Sequence, residues 1–525
     1  MGRSEATPPP ANTLLGSDTA SEPLDSQNAD TTTLRAEEVT ARAPKDNPDV
    51  YIVDWDGPDD PENPKNWTVR KKWAVTLVVS SYAFLSPLSS SMMAPAANQI
   101  ADEFGVTSKP IIALFTSIYV LGYALGPLTL APMCELFGRA RILQLSNLFY
   151  FAWNLGCGFA QNSGELIAFR FLSGIGGSAA PSIGGGVLGD VWRSDQRGQA
   201  VALYSLAPLL GPVIGPACGA WIAQKSDWRW VFWSTSIFCF FVQGIGLFYL
   251  KETYAPVLLE RKAAHIRRAM SDSEKGPVQE VKTVFDGPNR QWRNLVQKAL
   301  IRPFALAIYE PIIQVLAAFL SFVYGTLYLF LTTIPSIYQG VYKEDVGIAG
   351  FHYFALGIGM TAASQINGRF MDAAYKWLVA RYGQQGKPEY RLPTMVPGAF
   401  MLPVGLFLTG WTARADVHWI VPDIGIAIVG AGMILLFQSI QTYVIDAFTL
   451  HVASALASLA FFRSLAGFGF PLFAPAMYSA LGYGRGDTIL ACVAIAIGIP
   501  APFLFWVYGE RIRNASRYAG REDAR

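Results

Sequence analysis

Charge is scarce in this 525-residue chain: Asp, Glu, Lys and Arg make up only 15% of it, against 52% hydrophobic residues. Soluble domains carry roughly a quarter charged residues. The deficit, with a mean hydropathy of +0.29, excludes an ordinary soluble domain and indicates a polytopic membrane protein. A net charge of only +2 argues against a nucleic-acid partner. Histidine is nearly absent. His265, His352, His418 and His451 lie far apart, with no HExxH, no His-rich box and no Ser-His-Asp grouping, so a membrane enzyme has no reactive cluster to work with. Cys134, Cys157, Cys218, Cys239 and Cys492 sit in or beside apolar runs without paired spacing, which excludes a disulfide framework and offers no metal cage. Neither a metal nor a cofactor is expected. A cleavable leader is not expected either. The first apolar run begins near Trp73 and serves as its own insertion signal.

Long apolar windows are what the chain has instead. Runs able to cross about 30 Å of hydrocarbon occur near 73–97, 110–132, 142–161, 165–189, 199–223 and 229–250. After a hydrophilic stretch they resume near 304–338, 347–371, 394–413, 418–444, 450–480 and 487–509. Basic residues orient them. If the N-terminus is cytoplasmic, only Lys109, Lys225, Arg229, Lys343, Arg414 and Arg485 fall outside, and Arg170 and Arg463 fall within spans. Every other one of the 41 Lys and Arg is then cytoplasmic. Both termini are therefore expected in the cytoplasm, and the Asn66-Trp67-Thr68 glycosylation acceptor lies on the wrong side to be used.

Six windows on each side of a long central loop form the pattern of a duplicated transporter; seven-span receptors do not fit it. The expected division is a disordered cytoplasmic tail at 1–70, six-helix bundles at 71–250 and 304–510, and a short tail at 511–525. The cytoplasmic loop at 251–303 carries amphipathic spacing with a basic face over 256–270, as for a helix along the inner leaflet. Trp55 and Trp67, among prolines and charges, suit a segment lying against the protein or the headgroups.

Within the fifth window, Pro208, Pro212 and Pro216 recur every fourth residue, as do Gly211, Gly215 and Gly219. At that spacing each set stacks on one helical face. Small residues let a neighbouring backbone come close, and prolines bend a span without exposing peptide groups to water. A kinked packing face and a helix that flexes during transport both have this composition.

Between the second and third windows stands Ala131-Pro132-Met133-Cys134-Glu135-Leu136-Phe137-Gly138-Arg139-Ala140-Arg141. An acid, a glycine and two arginines in so short a loop suit a clamp on helix ends: Glu135 pairs with an arginine and Gly138 permits the tight turn. The spacing reappears at Gly368-Arg369-Phe370-Met371-Asp372, as for a repeated acid-bearing loop. The first loop resembles the signature of the major facilitator superfamily, G-x-x-x-D-R-x-G-R-[KR], at Glu135, Gly138 and Arg139; Ala131, Leu136 and Ala140 depart from it. Its A-P-x-x-E-x-x-G-R form resembles the fungal twelve-span branch of drug:proton antiporters. Similar to that branch too are Asn63-Pro64-Lys65-Asn66-Trp67, Glu252-Thr253-Tyr254-Ala255-Pro256, Glu310-Pro311, Lys387-Pro388-Glu389-Tyr390-Arg391-Leu392-Pro393 and Arg463-Ser464-Leu465-Ala466-Gly467. Gly211-Pro212-Val213-Ile214-Gly215-Pro216 resembles the superfamily's antiporter motif. The resemblance covers roughly residues 54 to 510.

It implies an all-α polytopic membrane protein of the major facilitator fold, with twelve transmembrane helices in two pseudo-symmetric six-helix halves. Efflux of small amphipathic organic compounds in exchange for protons, by a monomer in the plasma membrane, is the implied function. A proton-coupled importer of a nutrient or polyamine, and a non-transporting sensor, are the alternatives. The fifth span would form a hinge and seal against a helix of the other half. Arg170, at a depth where charge is costly, would take part in proton coupling or else pair with backbone carbonyls; Arg463 is its counterpart. The proton-carrying acid would be Glu310, in the lower third of the seventh span, unless it is a helix-end carboxylate paired with Arg302. Asp446 is either a second proton site or a gate residue, and Asp190, Arg193 and Arg197 read as cytoplasmic gate pairs. Tyr119, Tyr123, Tyr324, Tyr328, Gln365, Asn367, Gln438 and Gln441 are candidates to line an apolar cavity with a few polar groups.

Overall fold

The computed structural model describes residues 50–193, 196–272, 280–285, 301, 304–382, 387–448 and 452–516. Among them, 10 helical stretches are long and apolar enough to cross a membrane. Two features reconcile that number with twelve crossings. The last stretch, Ser454–Asn514, reverses direction at Gly482, whose φ of 75° suits only glycine. The helix Arg139–Cys157 is too polar to qualify because Asn147 and Asn154 point inward, at the sixth span. Asn154 Nδ2 donates to Ser236 Oγ at 2.8 Å and Thr235 Oγ1 at 2.9 Å, and Asn147 Nδ2 to Gln243 Oε1 at 2.7 Å. Such bonds between helices replace the hydrophobic drive that lipid cannot supply.

In the first half the spans run Val69–Met92, Lys109–Phe137, Arg139–Cys157, Ser163–Gly177 continued by Ala179–Val191, Arg197–Lys225 and Arg229–Tyr249. In the second half they run Pro311–Gly340, Tyr353–Tyr382, Met395–Thr412 and Ile420–Ala447, then the two arms of Val452–Gly498 with Pro500–Ala515 extending the last. The turns at Gly138 and at 387–394 share one side with most of the basic residues. We term it the basic side.

The second half is built round one continuous apolar core from Ile312, Leu316, Phe319, Leu356, Leu402 and Leu436. The first divides its core into separate clusters, around Val79 and Ile183 near the basic side and around Phe115 and Trp228 at the far end.

Residues 50–67, which composition placed in a disordered tail, carry local structure. Strand β1 (Val50–Val53) pairs in parallel with β2 (Glu280–Thr283) from the central loop. The amphipathic helix Ala255–Asp272 lies on this pair, with Ala263 packed against Val53 and Val281. Lys262 Nζ clasps the tail through the Asp54 carbonyl at 3.0 Å and Asp56 Oδ1 at 2.6 Å. Farther on, the Asn66 amide donates to the carbonyls of Pro58 and Asp60 at 2.7 and 3.0 Å, folding the motif before the first span into a closed loop.

Candidate functional site

The basic-side turns are held by two sets of charges at matching places in the two halves. Gly138, at φ 96°, turns the second span into the third, and a Cβ there would strike the Glu252 carboxylate. Glu252 Oε1 accepts from the amides of Arg139 at 2.9 Å and of Thr253 and Tyr254 at 3.0 Å. The Arg139 guanidinium pairs with Asp190 at 2.5 Å, and Asp190 also accepts from the Thr253 hydroxyl at 3.2 Å. The start of the third span is thereby tied to the ends of the fourth and sixth. In the other half, Arg391 Nε meets Asp446 at 3.0 Å and its Nη1 meets Asp372 at 3.1 Å, while Arg513 reaches Glu389 at 3.3 Å. Those residues tie the eighth, tenth and twelfth spans.

Several sequence expectations change here. The carboxylate that grips Arg139 is Asp190, which the sequence had grouped with Arg193 and Arg197. Arg193 does not pair with Asp190 but donates from Nη2 to Asn66 Oδ1 at 2.8 Å, fastening the folded tail motif. The Arg197 side chain lies outside the described residues. The stretch 368–372 is not a repeated loop: it lies inside the helix Tyr353–Tyr382, and the counterpart of the Gly138 turn is Pro388–Thr394. Glu310 sits at the basic end of the seventh span rather than within its lower third. It is the N-cap, with φ −106° and ψ 104°, and it is buried. Pro311 favours this, since helical backbone is disfavoured for the residue before a proline.

Arg170 is wholly buried, and its donors go to four backbone carbonyls: Ser89 at 3.0 Å, Ser90 and Phe115 at 3.1 Å, and Thr116 at 3.4 Å. The carbonyl pairing that sequence left open is what the structure holds. Tyr119 lies under this guanidinium at 5.0 Å and bonds Ser86 at 3.0 Å; it is fully buried and does not line an opening.

Next to this anchor, Ser90 Oγ and Tyr328 OH meet at 3.0 Å, joining the first span to the seventh. Tyr328 packs on Tyr324 at 5.2 Å between ring centroids, and the Arg463 guanidinium lies 4.4 Å over the Tyr324 ring and 5.6 Å from Phe437. Tyr123 stands 6.3 Å from Tyr119 and in electrostatic reach of Tyr324 and Arg463. Tyr123, Tyr324, Phe437 and Arg463 are each only partly buried, and Tyr123 of the first half faces Tyr324 and Arg463 of the second. Gln438 is used differently, accepting from Asn367 at 2.8 Å and donating to Ser364 at 2.7 Å, which braces the eighth span on the tenth. Gln365 is exposed and Gln441 half-buried.

The fifth span has two contact faces. Gly211 and Gly215 lie on Pro87, Leu88 and Ser91 of the first span, where an added Cβ would come within 2.7 and 2.6 Å of its atoms; Gly219 lies as close to Met92. The glycine ridge thus packs within its own half, not against the other half as expected from sequence. The face between the glycines, Val213, Ala217, Ala220 and Gln224, meets the other half at Gly357, Gly350 and Gly347. Gln224 Oε1 accepts from the Gly347 amide at 3.1 Å, and Trp221 stands edge-on to Phe351. Buried Pro212 and Pro216 stay within one unbroken helix. These contacts and Ser90–Tyr328 close the halves on the side away from the basic turns. Beyond them lies a cavity of about 310 Å³, lined by Lys109, Thr116, Thr332, Ser336 and Tyr478.

Sequence reading missed two buried clusters on that side. Asp487, 2% exposed, accepts from Tyr478 OH at 2.5 Å; it stands at the edge of an apolar window, where a charge gives no sign of being buried. His352 is held at 2.8 Å by both Asp423 and Glu344 and stacks flat on Tyr338 at 3.4 Å. Its partners are 71 and 8 positions away, so no local motif announces them. Among the described residues no group of three His, Cys, Asp or Glu side chains is placed to hold a metal.

Residues 79–471 match the family model described as Major Facilitator Superfamily. The chain belongs to the major facilitator superfamily. Within it the chain is 43% identical over 471 residues to Efflux pump vrtL of Penicillium aethiopicum, covering 90% of this chain and 92% of that one. It is 41% identical to MFS-type transporter penM of Penicillium rubens (90% and 91% covered) and 38% identical to Efflux pump radE of Floropilus chiversii (93% and 90%). These relatives place it in the fungal efflux-type branch, and the protein is a multi-pass membrane transporter. The crystal structure of a D-xylose-proton symporter superposes with a TM-score of 0.62, covering 83% of this chain and 97% of that one at 15% identity. That likeness concerns the major facilitator fold alone.

Proposed function

We propose that this transporter exports small amphipathic organic compounds from the cytosol in exchange for external protons, by alternating access. The observation that carries the reading is the half-buried lining of Tyr123, Tyr324, Phe437 and Arg463 between two halves that are closed on one side only by contacts a rocking motion can part. Relatives named as efflux pumps support the direction. The excess of Lys and Arg on the basic side supports a cytoplasmic assignment for it, with both termini there, in the plasma membrane.

In this scheme the paired clamps, Arg139–Asp190 and Arg391–Asp446, keep each half rigid at the cytoplasmic end. Glu310 exchanges the proton: it is a buried carboxylate at the start of the span that carries Tyr324 and Tyr328. Arg170 acts on that span through Ser90, whose carbonyl it holds and whose hydroxyl bonds Tyr328. Asp446, bound to Arg391, serves as a latch.

Reconstituted vesicles test the scheme. An outward-directed gradient of an exported compound drives proton entry, and Glu310→Gln abolishes the coupled flux while leaving compound binding intact. If no exported compound moves protons, antiport is wrong. If compound uptake falls in cells lacking the protein, instead of accumulation rising, the direction is wrong.

A further inference from the structure

We propose that the central site takes organic anions: a planar, conjugated compound bearing a carboxylate or an acidic phenol, whose negative group sits on the Arg463 guanidinium. The inference deepens the efflux reading for transport, but the binding it asserts stands without that reading.

The two arginines inside the spans are in opposite situations. Arg170 is engaged by four carbonyls. Arg463 makes no hydrogen bond and no ion pair among the described residues; its contacts are the faces of Tyr324 and Phe437. No acid on the surrounding spans reaches it. On the second span Glu135 is at the basic end, and on the seventh Glu310 is the N-cap. On the tenth, Asp423 is held by His352 and Tyr338 at one end and Asp446 by Arg391 at the other. The arm 452–481 of the eleventh span contains no acid. Beyond its turn, Asp487 is bound by Tyr478.

A guanidinium in a low-dielectric interior without a counter-charge is costly, and aromatic faces offset only part of that cost. With its flat face covered by Tyr324, its free N–H donors lie in the plane of the fork, the geometry that receives a carboxylate through two parallel bonds. Tyr123 and Tyr324 present aromatic surface to a conjugated body. A cationic compound meets an unscreened like charge at the same place. Charge balance follows: one anion leaving and one proton entering move two positive charges inward per cycle, where a neutral compound would move one.

The test uses the purified full-length protein and three probes of one shape, 2-naphthoate, 2-naphthamide and 2-naphthylmethylammonium, read by equilibrium binding and protection against heat. The wild type binds the carboxylate at least about tenfold more tightly than the amide, and the ammonium weakest. Arg463→Gln removes the carboxylate's advantage over the amide, whereas Arg463→Lys keeps part of it. Equal binding of the three probes, no binding of the carboxylate, or a preference that survives Arg463→Gln overturns the inference. Should Arg463→Gln fail to fold, the wild-type series alone decides. Carboxylate-selective binding without coupled proton flux keeps the anion site and rejects antiport; coupled flux without charge preference does the reverse.

Discussion

Gly215→Leu probes whether the fifth span works as a seal. A Cβ at this position would stand 2.6 Å from both the Leu88 carbonyl oxygen and Ser91 Oγ, whereas carbon contacts are comfortable from about 3.5 Å. The first and fifth spans must therefore part by about 1 Å to admit even a methyl group. Overpacking of this kind costs about 1–3 kcal/mol, and the rest of the leucine side chain adds to it. The span has no room to retreat. Its other face already presses on Gly350 and Gly357, where a Cβ would collide with Ala220 and Val213. The displacement therefore passes into the contact between the halves. Membrane insertion should be normal by protease topology mapping, the melting temperature lower, and transport in vesicles reduced at least about tenfold, as a shift of about 1.4 kcal/mol in the balance of states requires. Gly244→Leu is the control, since a Cβ there meets nothing within 4 Å. Transport by Gly215→Leu at the rate of the control would refute the reasoning and leave the ridge a passive packing face.

Asp446→Asn should lower thermal stability by about 1.5–3 kcal/mol, because its side chain is 32% exposed and one arm of Arg391 loses its charge partner. Asp372→Asn should cost under about 1 kcal/mol, its side chain being 71% exposed; unfolding followed by fluorescence separates the two, and equal losses would contradict the clamp geometry. Tyr328→Phe deletes the hydroxyl that joins the halves at Ser90. A net loss of about 0.5–1.5 kcal/mol should raise labelling of a reporter cysteine placed at Ser336 by roughly two- to tenfold, and unchanged labelling would show that the bond does not bias the states.

Much of the fold was legible because a span is a local object: length and apolarity suffice, and even polar Arg139–Cys157 overlaps the window at 142–161. The clamps were half legible. Gly138 makes the tight turn read from sequence, but that Asp190 grips Arg139 rather than Arg193 depends on how helix ends face each other, and spacing does not carry that. Gly368 to Asp372 shows the converse: a loop-like spacing inside a helix that runs unbroken to Tyr382. Glu310 is the helix-end carboxylate of the second reading, a position that Pro311 signals; Arg302, its partner in that reading, lies outside the described residues. The glycine repeat announced close approach correctly, while its partner, the first span, is a tertiary choice. Arg463 was noticed only as a counterpart of Arg170; what distinguishes them is the set of carbonyls available to one and not to the other.

The pairing of β1 with β2 changes the length of the tether between the halves. By chain alone the connection runs from Leu250 to Phe304, a contour of up to about 180 Å at 3.4 Å per residue. Because Thr283 is fastened beside Val53, at the entrance to the first span, the stretch left to reach Phe304 is about 70 Å at most. A shorter tether raises the effective concentration of one half around the other without restricting rocking by a few ångströms. Cutting the chain between Val53 and the first span would release that fastening, so a segment far in sequence from Tyr324 and Arg463 sets the length of free chain between the two halves.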